Sequence, residues 1–350
     1  MPGEGVHCPL TPTLSPRGRG RRTLGRFRLL TFPNPIRTPV IMRSRLMLEV
    51  ASELVAANEW ADKQTMILFR VQGASEWKIR FFASDAPGSV DAVANGEADI
   101  AICNPGGVLA MAAAGRGPWK SKPLALRSIM ALPQFDQLGF AVKASTGLKT
   151  LADVKRTKYP LKISLRGQPD HSVHLICNCV LSAYGMSLED IVSWGGKLVP
   201  SDGLPNAPDR IGAVERGEVD ALWDEALPMF ADRALELGMR FLAIDEPQLE
   251  ALEADGLKRA MITRREFPSL LEDVPTLDFS GWPVFCLESA PEDMIYKFCE
   301  ALEARKDRIP WYGKGPMALE TMCKDSVEGP LYLPLHRGAE RFWREKGYLP

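Results

Sequence analysis

The chain has 350 residues, 45% of them hydrophobic and 25% charged, with a formal net charge of −1. This is the composition of a globular protein able to bury one large or two medium cores. No apolar run approaches the roughly 18 residues that a spanning helix needs, so direct membrane insertion is excluded. Seven scattered cysteines, an odd number, form no small-domain disulfide framework and read as reduced, mostly buried thiols.

The near-zero charge hides an asymmetry. Residues 1–45 carry nine arginines against the single acid Glu4, and the rest of the chain is acidic. An acidic body lacks the basic face that phosphate binding needs, so nucleic acid is not an expected partner. The Arg-rich head is broken by seven prolines and is too irregular for an amphipathic transit peptide. Residues 1–41 read as a disordered or non-native extension resembling translated intergenic repeat, with initiation at Met42 or Met47. The apolar run near Leu29–Phe32 is too short for a secretory signal, so the chain as written reads as cytoplasmic.

In chain order, Leu46–Trp60 has helical apolar spacing and Trp77–Ala83 reads as a strand. A turn at Ser84–Ser89 leads into a short helix, then a strand over Asp99–Cys103 that Asn104-Pro105-Gly106-Gly107 stops. Leu109–Ala114 is a small-residue helix. Leu124–Pro133 and Leu138–Val142 are strands bracketing a crossing between lobes. A second α/β region follows: helix Leu148–Val154, strand Leu161–Leu165, loop Arg166–Asp170, helix His171–Tyr184 closed by Gly185, and a short element at Asp190–Trp194. Helix Pro228–Leu237 is capped at Gly238, and Arg240–Ile244 is expected to return the chain to the first lobe. The tail carries helices at Glu292–Arg305, Met317–Cys323 and Arg337–Lys346. This alternation means layered α/β lobes with largely parallel sheets.

The most informative pattern is a repeat. Ser89–Ile102 (SVDAVANGEADIAI) and Arg210–Trp223 (RIGAVERGEVDALW) lie 121 positions apart and share Ala-Val and Gly-Glu-x-Asp. Each copy reads as an amphipathic helix, a glycine in the left-handed C-cap conformation and a strand. Aligning the copies places Cys103-Asn104 opposite Asp224-Glu225, just past the strand ends where ligands bind in open α/β sheets. Asn104, Asp224 and Glu225 are therefore candidates for one cleft; the structural alternative is that Asp224 and Glu225 cap the following helix.

The loops Ser84–Ser89 and Arg166–Ser172 each join a strand to a helix N-terminus, where free N–H groups favour anions. Ser84, Gly88 and Ser89 are candidates in the first loop. In the second, Arg166 can fork onto a carboxylate, with Gln168, His171 and Ser172 beside it. The bland alternative leaves Ser89 and Ser172 as simple caps. His171, His174, Cys177 and Cys179 would lie on one helix, whereas zinc draws its ligands from separate elements, so no metal is expected. No phosphate loop, dinucleotide fingerprint or hydrolase signature is present, and no cofactor is expected.

Taken together, GSVDAVANGEADIAI, the Arg166–Ser172 loop and DRIGAVERGEVDALWDEA resemble the TAXI-type solute-binding proteins of TRAP transporters and, more widely, NMT1-like members of the type 2 periplasmic-binding-protein superfamily, over roughly residues 42–287. The resemblance implies a two-lobed α/β fold with mixed sheets flanked by helices and a ligand cleft between the lobes. On this reading residues 42–137 begin lobe 1, 138–243 form lobe 2, and 244–350 return to lobe 1 with the C-terminal helices. It implies capture of a small organic anion, a carboxylate or amino acid, for TRAP/ABC-type uptake through a membrane permease, and a periplasmic location that the missing export signal opposes. It implies ligand contacts from Ser84, Gly88, Ser89, Asn104 and the 166–172 loop. Two other readings stand beside it: an enzyme akin to dihydroxyphthalate decarboxylase-like members, with His171 or Glu225 as the acid–base group, and a cytoplasmic sensor. The Gly-rich loop usual before the first helix of this family is absent.

Overall fold

The computed structural model describes residues 46, 48, 50–52, 63–70, 76–84, 86–309, 311 and 317–350. The chain divides into two units at Glu59 and Trp60. In the first, the described residues are helical, and the remainder of the opening helix expected to Trp60 lies outside the described residues. No described helix is long and apolar enough to cross a membrane.

The second unit holds two five-stranded sheets. The first is built from β1 (Lys63–Arg70), β2 (Glu76–Ala83), β3 (Ile100–Ile102), β4 (Leu126–Leu132) and β12 (Trp282–Leu287), in the order β1-β2-β3-β12-β4. The second contains β5 (Gly139–Lys143), β6 (Lys162–Arg166), β7 (Lys197–Ser201), β8 (Ala221–Asp224) and β9 (Met239–Phe241), in the order β7-β6-β8-β5-β9. A separate antiparallel pair, β10 (Arg259–Ile262) and β11 (Val274–Leu277), stands beside them.

The two sheets repeat one pattern. β2-β3-β12-β4 and β6-β8-β5-β9 each run parallel, antiparallel, antiparallel. The sheets are therefore mixed rather than largely parallel. The cause is topological: β5 and β12 each enter their sheet from the other lobe, against the local strand direction. Two segments make those crossings, residues 133–138 and 278–281. They are laced together by Leu138 N to Leu277 O (3.0 Å), Phe279 N to Asp136 O (3.0 Å) and Gly281 N to Gln134 O (2.8 Å). This two-lobed α/β arrangement, with mixed sheets flanked by helices, is the fold that the family resemblance implied. At the outer edge the lobes differ: β1 is antiparallel to β2, whereas β7 is parallel to β6.

Helices cover both faces because the strands alternate. Val284 and Cys286 of β12 pack under the C-terminal helices α9 (Glu292–Arg305) and α10 (Arg337–Glu345), while Phe285 between them joins the core that runs towards the second sheet. The return expected at Arg240–Ile244 comes later. β9 pairs with β5 as an edge strand, and Ile262, Phe267, Leu270 and Val274 stay packed on Phe230 and Phe241 of the second lobe. Only at 278–281 does the chain cross back. Helix α8 (Glu246–Ala254) and the β10–β11 pair had no counterpart in the sequence reading. The expected helix at Met317–Cys323 shrinks to one 3-10 turn at Leu319–Thr321.

The repeat folds as the spacing predicts. Helix α1 (Gly88–Ala94) leads to Gly96 at φ +72°, and helix α6 (Pro208–Glu215) to Gly217 at φ +75°. Their terminal bonds match: Glu97 N to Ala92 O at 2.8 Å and Glu218 N to Ala213 O at 2.9 Å. A Cβ at Gly96 would meet nothing within 4 Å, and at Gly217 only Lys143 Nζ at 3.7 Å. The requirement is conformational, so Gly96→Ala and Gly217→Ala should each cost about 1 kcal/mol in urea denaturation. A cost near zero in both would contradict it. The motif acids are scaffold: Asp99 clamps Arg80 through its backbone N (2.8 Å) and Nε (3.0 Å), and Asp220 receives Lys162 N at 3.4 Å.

Candidate functional site

Strand periodicity assembles a buried charged cluster in the second lobe. Ser164 and Arg166 point to one face of β6, and Leu222 and Asp224 point to the same side of β8, which lies beside it. Arg210 descends onto that face from α6. Its Nε donates to Ser164 Oγ at 3.0 Å, its Nη2 to Ser164 O at 3.3 Å and its Nη1 to Asp224 Oδ2. Arg166 Nη2 donates to Asp224 Oδ1 at 2.9 Å and to Glu225 Oε1 at 2.5 Å. Both arginines are about 1% exposed. On the other face Trp223 stacks on Phe140, ring centroids 4.2 Å apart and 4° from parallel.

Asp136, on the first crossing, completes the cluster. Its carboxylate accepts from Ala226 N and Leu227 N, each at 2.9 Å, and from Gln137 N at 2.7 Å. It therefore caps α7 (Leu227–Glu236) from outside the helix, in place of the local Asp224 or Glu225. Asp136 and Glu225 also share a side-chain hydrogen bond. Burial pushes the Glu225 carboxyl well above its ordinary value, and the charges of Asp136 and Asp224 push it further. Burial likewise raises Asp136, to about 6. Both shifts favour a proton on the Asp136–Glu225 pair, the larger one at Glu225.

The 166–172 loop is built around this cluster. Gly167 lies so close to the turn after β7 that a Cβ would collide with Asp202 Oδ1, and Gln168 Nε2 donates to Asp202 O at 3.3 Å. His171 caps helix α4 (Ser172–Ala183), its Nδ1 accepting from Val173 N at 3.2 Å. Burial and the nearby Arg166 charge depress its pKa to about 3, so the ring is neutral; its Nε2 stands 3.8 Å from Glu225 Oε1. Ser172 follows as the buried first residue of that helix. His174 and Cys179 are half-buried and Cys177 fully buried.

In the first lobe the matching positions are small and uncharged. Ser89 aligns with Arg210, Cys103 with Asp224 and Asn104 with Glu225 across the repeat. Ser89 is fully buried and Asn104 is 7% exposed. Neither Ser89 Oγ nor Asn104 Oδ1 has a hydrogen-bond partner among the described residues. Ser84 is half-buried and its Oγ accepts from Ala86 N at 2.9 Å, whereas Gly88 is exposed with open space around its α-carbon. Neither Ser89 nor Ser172 caps its helix: Pro87 and His171 occupy those positions.

Arg166, His171, Asp224 and Glu225 thus come together in the second lobe, and Ser89 and Asn104 form a pair of unsatisfied polar groups in the first. Sequence reasoning missed Arg210 and Asp136. Arg210 left a signal, an arginine on the buried face of a helix whose twin carries serine. Asp136 left none, because its partners lie 90 residues away.

The profile of the NMT1-like family matches residues 68–347. Among solved structures, the alkanesulfonate-binding protein SsuA from Xanthomonas axonopodis pv. citri bound to MOPS is 18% identical, over 64% of this chain and 61% of that one, at a TM-score of 0.31. The periplasmic aliphatic sulphonate binding protein SsuA from Escherichia coli is 17% identical, over 63% and 58%, at a TM-score of 0.33. A periplasmic transporter is 16% identical, over 75% and 80%, at 0.34. The chain spans about three-fifths of the length of the first two.

Proposed function

The chain belongs to the NMT1-like family, and from that premise we propose that it is a solute-binding protein of the TAXI kind. It captures a small organic anion, a carboxylate or amino acid, between its lobes and hands it to a TRAP- or ABC-type permease. The observation that carries this reading is the pair Ser89 Oγ and Asn104 Oδ1, both buried and both without a partner among the described residues. Buried polar atoms are nearly always satisfied, and an acceptor such as Asn104 Oδ1 calls for a donor on a bound molecule.

Arg166 offers the complementary anchor. It is held by Asp224 and by Glu225. A neutral carboxyl binds a guanidinium less strongly than an ionised one, so a solute carboxylate displaces Glu225 and leaves the Arg166–Asp224 bond intact. Glu225 then turns its proton or its oxygens to a polar group of the solute. An amino acid satisfies both ends and keeps the cluster near neutrality.

A thermal-shift screen of carboxylates and amino acids tests this. A true solute at 100 times its Kd adds about 2.7 kcal/mol of stability, and Asn104→Ala and Ser89→Ala should reduce that response at equal concentration. A screen in which no carboxylate stabilises the wild type, or in which both variants respond as it does, would sink the proposal.

A further inference from the structure

A cavity lies on the side of the crossings turned away from the charged cluster. Asp136 faces α7, so its neighbours along the extended segment, Phe135 and Gln137, face away from the charged cluster. There Phe135, Gln137, Met261, Asp278 and Val327 help to line a cavity of about 530 Å³, which none of the candidate residues named above borders. It is walled by both crossings, by β10 and by residues 325–330.

Its chemistry is one-sided. Gln137 is 5% exposed, and its Nε2 donates to Met261 O at 3.0 Å. That bond fixes the amide and turns Oε1 away from the carbonyl, and Oε1 has no partner among the described residues. Asp278 is bridged to Gln137 across the two crossings, so both side chains emerge on one face. Its carboxylate accepts from Ser280 N at 2.9 Å and Tyr332 Oη at 3.1 Å, both neutral donors.

The neighbouring cations are already engaged. Arg259 is bound by Glu246 and Glu253 at 2.6–2.8 Å. Lys258 Nζ lies 4.7 Å from the centre of the Tyr332 ring and 3.7 Å from Asp325. What remains is a surplus of acceptors beside an exposed apolar wall, with Met261 at 42% and Val327 at 81% exposure. Burial holds the Asp278 carboxyl above its ordinary value, the condition that a bound cation relieves.

We propose that this cavity is a second small-molecule site, one that takes a primary amine with a short apolar body. The ammonium donates to Gln137 Oε1 and Asp278, and the body lies on Phe135 and Met261. The site stands apart from the interlobe solute site and does not depend on it.

Calorimetric titration of the full chain with n-butylamine tests the proposal, with n-butanol and butyrate as controls. The amine should bind saturably and the two controls should not. Asp278→Asn and Gln137→Met should each weaken amine binding at least tenfold, while Asn104→Ala leaves it unchanged. Absence of saturable amine binding, equal binding of butanol or butyrate, or full binding by both cavity variants overturns it. Loss of amine binding in Asn104→Ala also overturns it, by moving the amine to the interlobe site. If Asp278→Asn does not fold, Gln137→Met, which gives up only the bond to Met261, carries the test.

Discussion

Replacing Arg166 with alanine is expected to destabilise the protein by about 3–5 kcal/mol, the usual cost of removing one partner from a buried ion pair. The guanidinium spans Asp224 and Glu225 at 2.9 and 2.5 Å with no side-chain exposure. Without it, Asp224 keeps Arg210 as its one cationic partner among the described residues, and Glu225 keeps Asp136. The loss falls mainly on Asp224, because burial and the charges of Asp136 and Asp224 favour the protonated form of Glu225. Arg166→Met, which fills the same space, recovers the packing share alone. Urea denaturation of both variants separates the two contributions. A loss below about 1 kcal/mol in Arg166→Ala would mean that the buried cluster does not hold this lobe together.

Glu225→Gln is expected to gain on the wild type as the pH rises. The carboxyl binds a proton in the folded protein that it releases on unfolding above its ordinary value of 4.5. A raised folded pKa gives a stabilising contribution that is complete below the unfolded pKa and is lost as the pH climbs through the folded one. Glutamine keeps an acceptor for Arg166 and a donor for Asp136 and has nothing to ionise. The variant should therefore improve relative to the wild type by up to about 1.4 kcal/mol per pH unit as the pH rises above the ordinary value of 4.5 and until the folded carboxyl ionises. His171 works in the other direction: its depressed pKa of about 3 makes stability rise with pH up to about 6.5. That term is common to both proteins and cancels in the difference. Unfolding midpoints at pH 5, 6.5 and 8 give the measurement, and a difference that does not move with pH would assign the proton elsewhere.

Local signals were legible to different depths. The glycines of the two Gly-Glu-x-Asp turns announce a left-handed C-cap wherever they fall, and both sit at positive φ. The alternation of helices and strands and the doubled unit pointed to two lobes of similar build, and the positions past each repeat strand pointed to Asn104, Asp224 and Glu225. The strand senses were not legible. β5 and β12 become antiparallel because they enter from the opposite lobe, a fact of chain tracing rather than of side-chain pattern. The β10–β11 pair also escaped notice, since its short strands are stabilised by packing on Phe230 and Phe241.

By itself, then, the sequence determined the helix-turn-strand repeat, its matched turns and the residues that follow each strand, because backbone conformation and amphipathic period are local properties. Only the tertiary structure decided what those residues do. It tied Arg166 to Asp224 and Glu225, brought Arg210 down from the second repeat helix, and sent Asp136 across from the first crossing to cap α7 and bond to Glu225. Charge pairing and desolvation act between groups far apart in the chain, and their balance exists only once the fold has excluded water.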